Sequence, residues 1–416
     1  MADDHMIVLK NTWWPWSLFM SMSVLLCCFC KPGFSEVNPP FSFQKKIEQY
    51  AGDGAVGVWD EQGTALFSLN TTKGMVPASI LKIVTAAVFI HYAGSDYRFE
   101  THFYRDSKGN LFIKGMGDPS LVSEEWVKIA AALKSKGLFE VNELVLDDSF
   151  FAPLLKVPGV GQSTNPYDAL NGALTTNFNT LYVTVSPRKE VISAESQTPL
   201  TIFMKQRALA VRRTGTFRIA IKQNREHALM LFASLGRAFL KQAGIMISGV
   251  DRFETVPASL KPFHVHYSSK DSAAIITDMM EYSNNFSANQ LFLTAGVMAA
   301  DPPATLEKAV QATQKFLHQK IGLTNITVVE GSGISRQNKI SARQFHEILR
   351  YFRPYKHLLP EKDGVWSKTG TLRQVSTLAG FYIPQQNKAQ LRLFVIMLQG
   401  KHHDRLKILS LLRKHY

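Results

Sequence analysis

Three short runs carry the side chains needed to activate a hydroxyl and hold an anion: Ser79-Ile80-Leu81-Lys82, Ser283-Asn284-Asn285 and Lys368-Thr369-Gly370. In the first, serine and lysine stand at i and i+3, which puts them on one face of a helix. A serine hydroxyl is a weak nucleophile and needs an adjacent base. A lysine enclosed by apolar helix, near a helix N-terminus, gives up its proton more readily than one in water. The same N-terminus offers backbone N–H groups to a developing oxyanion. Lys368-Thr369-Gly370 reads as strand, with Trp366 before it and Leu372 after. It offers a cation, a hydroxyl and, at Gly370, room for a substrate along the strand edge. Ser283 and Asn285 supply a hydroxyl to relay a proton and an amide to hold a carbonyl.

Each run taken alone is weak. Ser-x-x-Lys recurs at Ser186-Pro187-Arg188-Lys189, where proline and arginine mark surface. Arg213-Thr214-Gly215 repeats part of the third run, and a solvated turn is the bland reading of either copy. Ser68-Leu69-Asn70, Ser163-Thr164-Asn165 and Ser287-Ala288-Asn289 all fit Ser-x-Asn. The setting separates Ser79 from its copy. It follows Pro77-Ala78 and opens a run, Ile80 to Tyr92, that is apolar on nearly every face. Such a helix belongs in the middle of a domain.

The elements that must position these groups come from both ends of the chain. A short amphipathic helix near Phe43–Tyr50 precedes strand-like runs at Ala55–Asp60 and Ala65–Asn70, parted by Gln62-Gly63. Strands at Gly364–Thr371, Ser376–Tyr382 and Leu391–Gln399 and a helix at Asp404–His415 close the sequence. Two early and three late strands around the apolar helix predict one sheet with helices on both faces. From about Ser95 to Pro262 the texture changes to short strands, turns and one helix near Glu124–Lys136, with basic residues such as Arg207, Arg212 and Arg213. This stretch reads as an insertion. Helical periodicity returns over Ser269–Phe292, Ala304–Ile321 and Ala342–Phe352, with a glycine loop at Glu330-Gly331-Ser332-Gly333.

A chain of 416 residues holds two domains or one domain with a large insertion. With 45% hydrophobic and 19% charged residues it can bury a large core. The net charge of +14 suits anionic surroundings, peripheral membrane association among them, or simply keeps the protein soluble. No basic helix interleaved with aromatics and no zinc-finger spacing is present, which argues against nucleic acid. All three cysteines (Cys27, Cys28 and Cys30) fall in an apolar run, Trp13–Cys30, between Lys10 and Lys31-Pro32-Gly33-Phe34-Ser35. Residues 1–35 are read as a signal peptide cut after Ser35, with an uncleaved anchor as the rival. Asp3 and Asp4 suit such a leader poorly and leave the start open between Met1 and Met6. The remaining chain lacks cysteine, which fits an oxidising, extracytoplasmic location such as the periplasm. His402-His403-Asp404 is the one dense cluster of ligand types and lacks metalloprotease spacing, so it reads as a helix cap. No metal and no cofactor is expected.

In their order along the chain, the three runs form the triple signature of penicillin-binding proteins and serine β-lactamases. More broadly, the chain resembles the serine D-Ala-D-Ala carboxypeptidase family of penicillin-binding protein 4 type. The likeness runs over about residues 40–400. It is carried by Pro77-Ala78-Ser79 with Lys82 and Thr85, Gly115-Met116-Gly117-Asp118-Pro119, Leu146-Asp147-Asp148-Ser149 with Phe151, and Leu174 with Asn177-Phe178-Asn179. Gly331-Ser332-Gly333-Ile334-Ser335-Arg336 and Val375-Ser376 with Leu378-Ala379-Gly380 add to it. Met116 departs from a glycine and Asn284 from an aspartate. The second departure leaves two registers, Ser283/Asn285 or Tyr282/Asn284, and Ala288 favours the first.

The resemblance implies an α/β (α+β) fold, a transpeptidase/β-lactamase-like domain with an antiparallel sheet flanked by helices, carrying a large nested β-rich insertion. The boundaries would be 36–95 and 265–416 for the penicillin-binding domain and 96–264 for the insertion. It implies a hydrolase forming an acyl-enzyme on peptidoglycan peptides ending in D-Ala-D-Ala, as carboxypeptidase or endopeptidase, and acylated by β-lactam antibiotics. Ser79, Lys82, Ser283 and Lys368 would be catalytic. Asn285, Thr369, Gly370 and Thr371 would bind substrate, Thr371 through its backbone N–H at the oxyanion. Rival functions are a serine β-lactamase or related esterase, and a non-catalytic peptidoglycan-binding protein.

Overall fold

Alternation of side chains along the late strands builds a two-faced sheet, because successive residues of a strand point to opposite sides. The computed structural model describes residues 41–153, 155–221, 224–384, 390–400 and 404–416. The leader expected at 1–35, with its cysteines, and the pair His402-His403 lie outside the described residues.

Helix α1 (Phe41–Ala51) leads into β1 (Ala55–Trp59) and β2 (Ala65–Leu69). A turn of 3₁₀ helix at Ala78–Ile80 runs into α2 (Leu81–Ala93). The central stretch then lays down β3 (Glu100–Arg105), β4 (Leu111–Gly115), α3 (Ser123–Ser135), β5 (Leu144–Asp147), β6 (Thr180–Val185), β7 (Val191–Ser193), α4 (Ile202–Ala210), β8 (Gly215–Ala220), α5 (Arg225–Gln242), β9 (Asp251–Phe253) and β10 (Pro262–Tyr267). Helices α6 (Ser272–Glu281), α7 (Asn285–Ala299), α8 (Leu306–Phe316) and α9 (Ala342–Phe352) follow. The chain ends with β11 (Glu361–Lys362), β12 (Val365–Leu372), β13 (Val375–Tyr382), β14 (Arg392–Gln399) and α10 (Arg405–His415).

The main sheet is antiparallel, in the order β11-β12-β13-β14-β1-β2. On β13, Ala379 and Phe381 face the core around α2, whereas Leu378 and Tyr382 face α1 and α10. On β14, Leu393, Val395 and Met397 take the first face and Phe394, Ile396 and Leu398 the second. Every residue of α2 from Leu81 to Ile90 is buried. It packs under the sheet among α6, α7, α8 and α9, so the apolar helix is the axle of this half, as its composition predicts.

The central stretch forms a mixed five-stranded sheet, β9-β5-β4-β3-β10, and a three-stranded sheet, β8-β6-β7. Its core is separate from those around the main sheet. Besides α3, the helix expected near Glu124–Lys136, this stretch holds two further helices, α4 and α5, outside the expected texture of short strands and turns. The signal was present: Leu229, Phe232, Leu235 and Phe239 recur at helical spacing and are buried. Gly236 lets α5 lie on α3, since a methyl there would stand 2.9 Å from the Trp126 ring. A second difference concerns Ser269–Phe292, read as one helical stretch. It divides into α6 and α7 because Ser283 adopts the left-handed region (φ 51°).

One buried amide fastens the central stretch to α7. The Gln290 side chain donates to the carbonyls of Gly117 (2.8 Å) and Gly172 (3.0 Å) and accepts from the Asn171 amide (3.0 Å) and the Gly172 N–H (3.1 Å). Replacing it by Met keeps the bulk and strands those buried partners. Gln290→Met should lower the unfolding free energy by about 2–4 kcal/mol, read from urea denaturation.

Candidate active site

Ser79 sits where three segments close on one turn of chain. Ala78, fully buried, has φ 50°, a conformation that L residues other than glycine and asparagine seldom adopt. Glycines allow the approach from two sides. A methyl on Gly333 would stand 1.9 Å from the Ala78 carbonyl oxygen, and one on Gly370 would stand 2.8 Å from the Ser79 nitrogen. Thr377 on β13 donates to the Pro77 carbonyl at 2.7 Å and pins the turn to the sheet. The late strand thus runs directly beside the start of the apolar helix.

Lys82 lies one turn along from Ser79 and is fully buried. Its Nζ is 2.7 Å from Asn285 Oδ1, 2.8 Å from the Ser332 carbonyl oxygen and 3.2 Å from Ser79 Oγ. Burial, and then the nearby charge of Lys368, lower its pKa to about 7, with the Glu330 carboxylate working the other way. A neutral amine has two hydrogens and one lone pair. With the hydrogens given to Asn285 and Ser332, the lone pair is left for the Ser79 hydroxyl. The loop that supplies the Ser332 carbonyl is itself held from within. Glu330, fully buried, accepts from the N–H groups of Ser332 and Gly333 (2.7 Å each), from the Ser332 hydroxyl (2.6 Å) and from the Asn338 amide (2.7 Å). Thr85 on α2 donates to the Gly331 carbonyl at 2.6 Å.

The break between α6 and α7 presents the second run. Asn284 caps α7, its Oδ1 accepting from the Ser287 N–H at 3.1 Å, while Asn285 turns inward to Lys82. Tyr282 is 78% exposed. Of the two registers, it is therefore Asn285 and not Asn284 that meets the lysine. Ser283 and Ser79 line one cleft of ~1030 Å³, which continues past Glu124, Lys128 and Arg218 of the central stretch.

On β12, Lys368 is nearly fully buried, and its Nζ donates to the Thr369 carbonyl at 3.0 Å. Burial first, and then the Arg405 charge, lower its pKa to about 8, against the pull of Glu281. Thr369 and Thr371 are exposed and stand on the opposite side of the strand from Lys368 and Gly370. Strand β11 pairs only with Val365 and Trp366. Among the described residues the outer edge of β12 from Lys368 onward therefore has no strand neighbour, and an extended chain can lie along it.

The competing copies lie elsewhere. Pro187, Arg188 and Lys189 are exposed after β6, and Arg213-Thr214-Gly215 is exposed where the chain enters β8, with Gly215 its first residue. Asp404 caps α10 through the N–H groups of Leu406 and Lys407. Among the described residues no cluster of three or more His, Cys, Asp or Glu side chains is arranged to hold a metal. Arg373 is exposed, and its carbonyl accepts from Arg336. Three participants escaped the sequence reading: Glu330, Thr377 and Arg405. Glu330 was visible only as the first residue of a glycine loop. The other two carry no local signal, because their partners are distant in sequence.

The model of the D-Ala-D-Ala carboxypeptidase 3 (S13) family matches residues 45–359. The chain belongs to this family. Among its relatives is the D-alanyl-D-alanine carboxypeptidase DacB of Haemophilus influenzae, 23% identical over 86% of this chain and 88% of the relative. The penicillin-sensitive carboxypeptidase A of Dictyostelium discoideum is 23% identical over 77% and 76%. The crystal structure of penicillin binding protein 4 (dacB) from Haemophilus influenzae superposes with a TM-score of 0.72 at 20% identity, covering 89% of this chain and 97% of that one. The S13 fold, with its antiparallel sheet flanked by helices, is thus the fold of this chain, and membership makes it a serine-type peptidase.

The geometry around Lys82 gives a direct check. The ¹⁵Nζ resonance of Lys82 in lysine-labelled protein should titrate with a midpoint near 7. Lys368→Met removes one of the causes that lower this value, so the midpoint should move to higher pH.

Proposed function

We propose that this S13 family member cuts the D-Ala-D-Ala end, and the cross-links, of peptidoglycan stem peptides through an acyl-enzyme on Ser79. The observation that carries the reading is the buried amine of Lys82, held by two acceptors and facing the Ser79 hydroxyl at 3.2 Å. Lys82 takes the hydroxyl proton as Ser79 Oγ attacks the carbonyl of the penultimate D-Ala. The backbone N–H groups of Ser79 and Thr371 receive the oxyanion. Ser283 passes a proton to the departing amine. Asn285 holds both Lys82 and the substrate amide. Lys368 and Thr369 grip the terminal carboxylate of a peptide lying along the free edge of β12, and Gly370 keeps that edge clear. Water then hydrolyses the ester. β-Lactams enter by the same route and stop at the acyl stage, in keeping with the names of the penicillin-sensitive and penicillin-binding relatives.

We place the catalytic half at residues 36–95 and 265–416 and the insertion at 96–264, on the separate core of the central stretch. Peptidoglycan lies outside the cytoplasmic membrane, so the reading requires export, by a signal peptide at 1–35 or an anchor there. The net charge of +14 suits an anionic wall and peripheral contact with a membrane surface.

Fluorescent penicillin should label the protein, and Ser79→Ala should abolish both labelling and release of D-Ala from a pentapeptide. Rapid turnover of nitrocefin would favour a β-lactamase instead, and binding to sacculi without release of D-Ala a wall-binding protein. The rate of acylation should depend on pH in a bell. It rises as pH passes about 7, where Lys82 loses its proton and becomes a base. It falls as pH passes about 8, where Lys368 loses the charge that attracts the carboxylate. A profile flat from pH 6 to 9 would count against Lys82 as the base.

A further inference from the structure

Arg405 opens the last helix, α10, on the side of the main sheet away from α2, and reaches over the end of the sheet to β12. Its Nη1 donates to the carbonyl oxygens of Gly370 (2.7 Å) and Thr377 (3.1 Å) and to Thr371 Oγ1 (3.1 Å). Thr369 and Thr371 share one face of β12, so this guanidinium meets the strand on the face that carries both hydroxyls. A hydroxyl whose oxygen accepts from a cation turns its own hydrogen away from that cation. Thr371 is thereby set as a donor directed off the strand, toward where a carboxylate would lie beside Thr369. The same three contacts fix the backbone at Gly370, next to the Ser79 nitrogen.

We infer that Arg405 is a positioning residue for recognition of the substrate's terminal carboxylate: it orients the Thr371 hydroxyl as a donor. The inference rests on the proposed peptidase reading and adds to it a residue outside the three runs. It also gives α10 a task besides covering the sheet. All three contacts come from the single nitrogen Nη1, whose two hydrogens are shared among three acceptors, and a lysine at this position keeps the charge.

The test compares a peptide ending in D-Ala-D-Ala with the same peptide amidated at its C-terminus. Wild-type protein should prefer the acid. Arg405→Gln should lower kcat/KM for the acid by about ten- to hundredfold, mainly through KM, because a charge-assisted hydrogen bond is lost. The amide should be little affected, so the preference collapses. Arg405→Lys should restore part of it. Thr371→Val should show the same loss, and Arg405→Gln should add little to Thr371→Val, since the two act through one hydroxyl. Equal losses on acid and amide with a lowered Tm would mean that Arg405 only supports the fold, and would overturn the inference. An unchanged acid-to-amide ratio would overturn it as well. Wild-type protein that cleaves neither peptide and is not labelled by penicillin would sink the peptidase reading, and this inference with it. An active wild type with an indifferent Arg405→Gln sinks the inference alone.

Discussion

The chemistry of this molecule depends on an amine kept out of water. A lysine that is solvated at neutral pH is charged and offers no lone pair. Lys82 sits at the mouth of a helix that is buried on all sides, and desolvation is the largest of the effects that bring its pKa to about 7. The cost of burying it is met by satisfying it. Asn285 comes from the start of α7 and Ser332 from the loop after α8. Glu330, the first residue of that loop, accepts from its N–H groups and opposes the lowering of the lysine's pKa. The architecture around α2 can be read as the means of enclosing one nitrogen while leaving one hydroxyl at its edge.

The second constraint is close approach of backbone to backbone. The Ser79 turn is met by Gly333 on one side and Gly370 on the other, and at neither is there space for a methyl. Thr377 ties the turn to β13, and Arg405 ties β12 and β13 together from the opposite face of the sheet. Strain at Ala78 is therefore held by contacts from three distant parts of the chain, which is how a left-handed alanine persists at a functional position.

The central stretch bears on the site in a different way. Its loops at Gly117 and Gly172 are fastened to Gln290, five residues into the helix that begins with Asn285. Its residues also form one wall of the cleft that opens at Ser79 and Ser283. The helix that these loops hold is the one whose first residue, Asn285, places the amide on Lys82.

Five of the six strands of the main sheet (all but the two-residue β11), the apolar helix and the positions of Ser79, Lys82 and Lys368 were legible from local pattern. Period-two alternation, all-round apolarity and i, i+3 spacing are properties of a few neighbouring residues. The helix α5 is equally local in its signal, the helical recurrence of Leu229, Phe232, Leu235 and Phe239. Other features were not in the sequence in any local form. Asn284 and Asn285 are chemically identical neighbours, and only the left-handed backbone at Ser283 sends one to cap a helix and the other to the lysine. Glu330 and Arg405 acquire their roles from partners brought together by packing, Arg405 with Gly370 thirty-five positions away. The sequence by itself determined which groups were available and which elements carried them. Tertiary structure alone decided which of them are buried together, because desolvation and close approach are set by what surrounds a group and not by what precedes it in the chain.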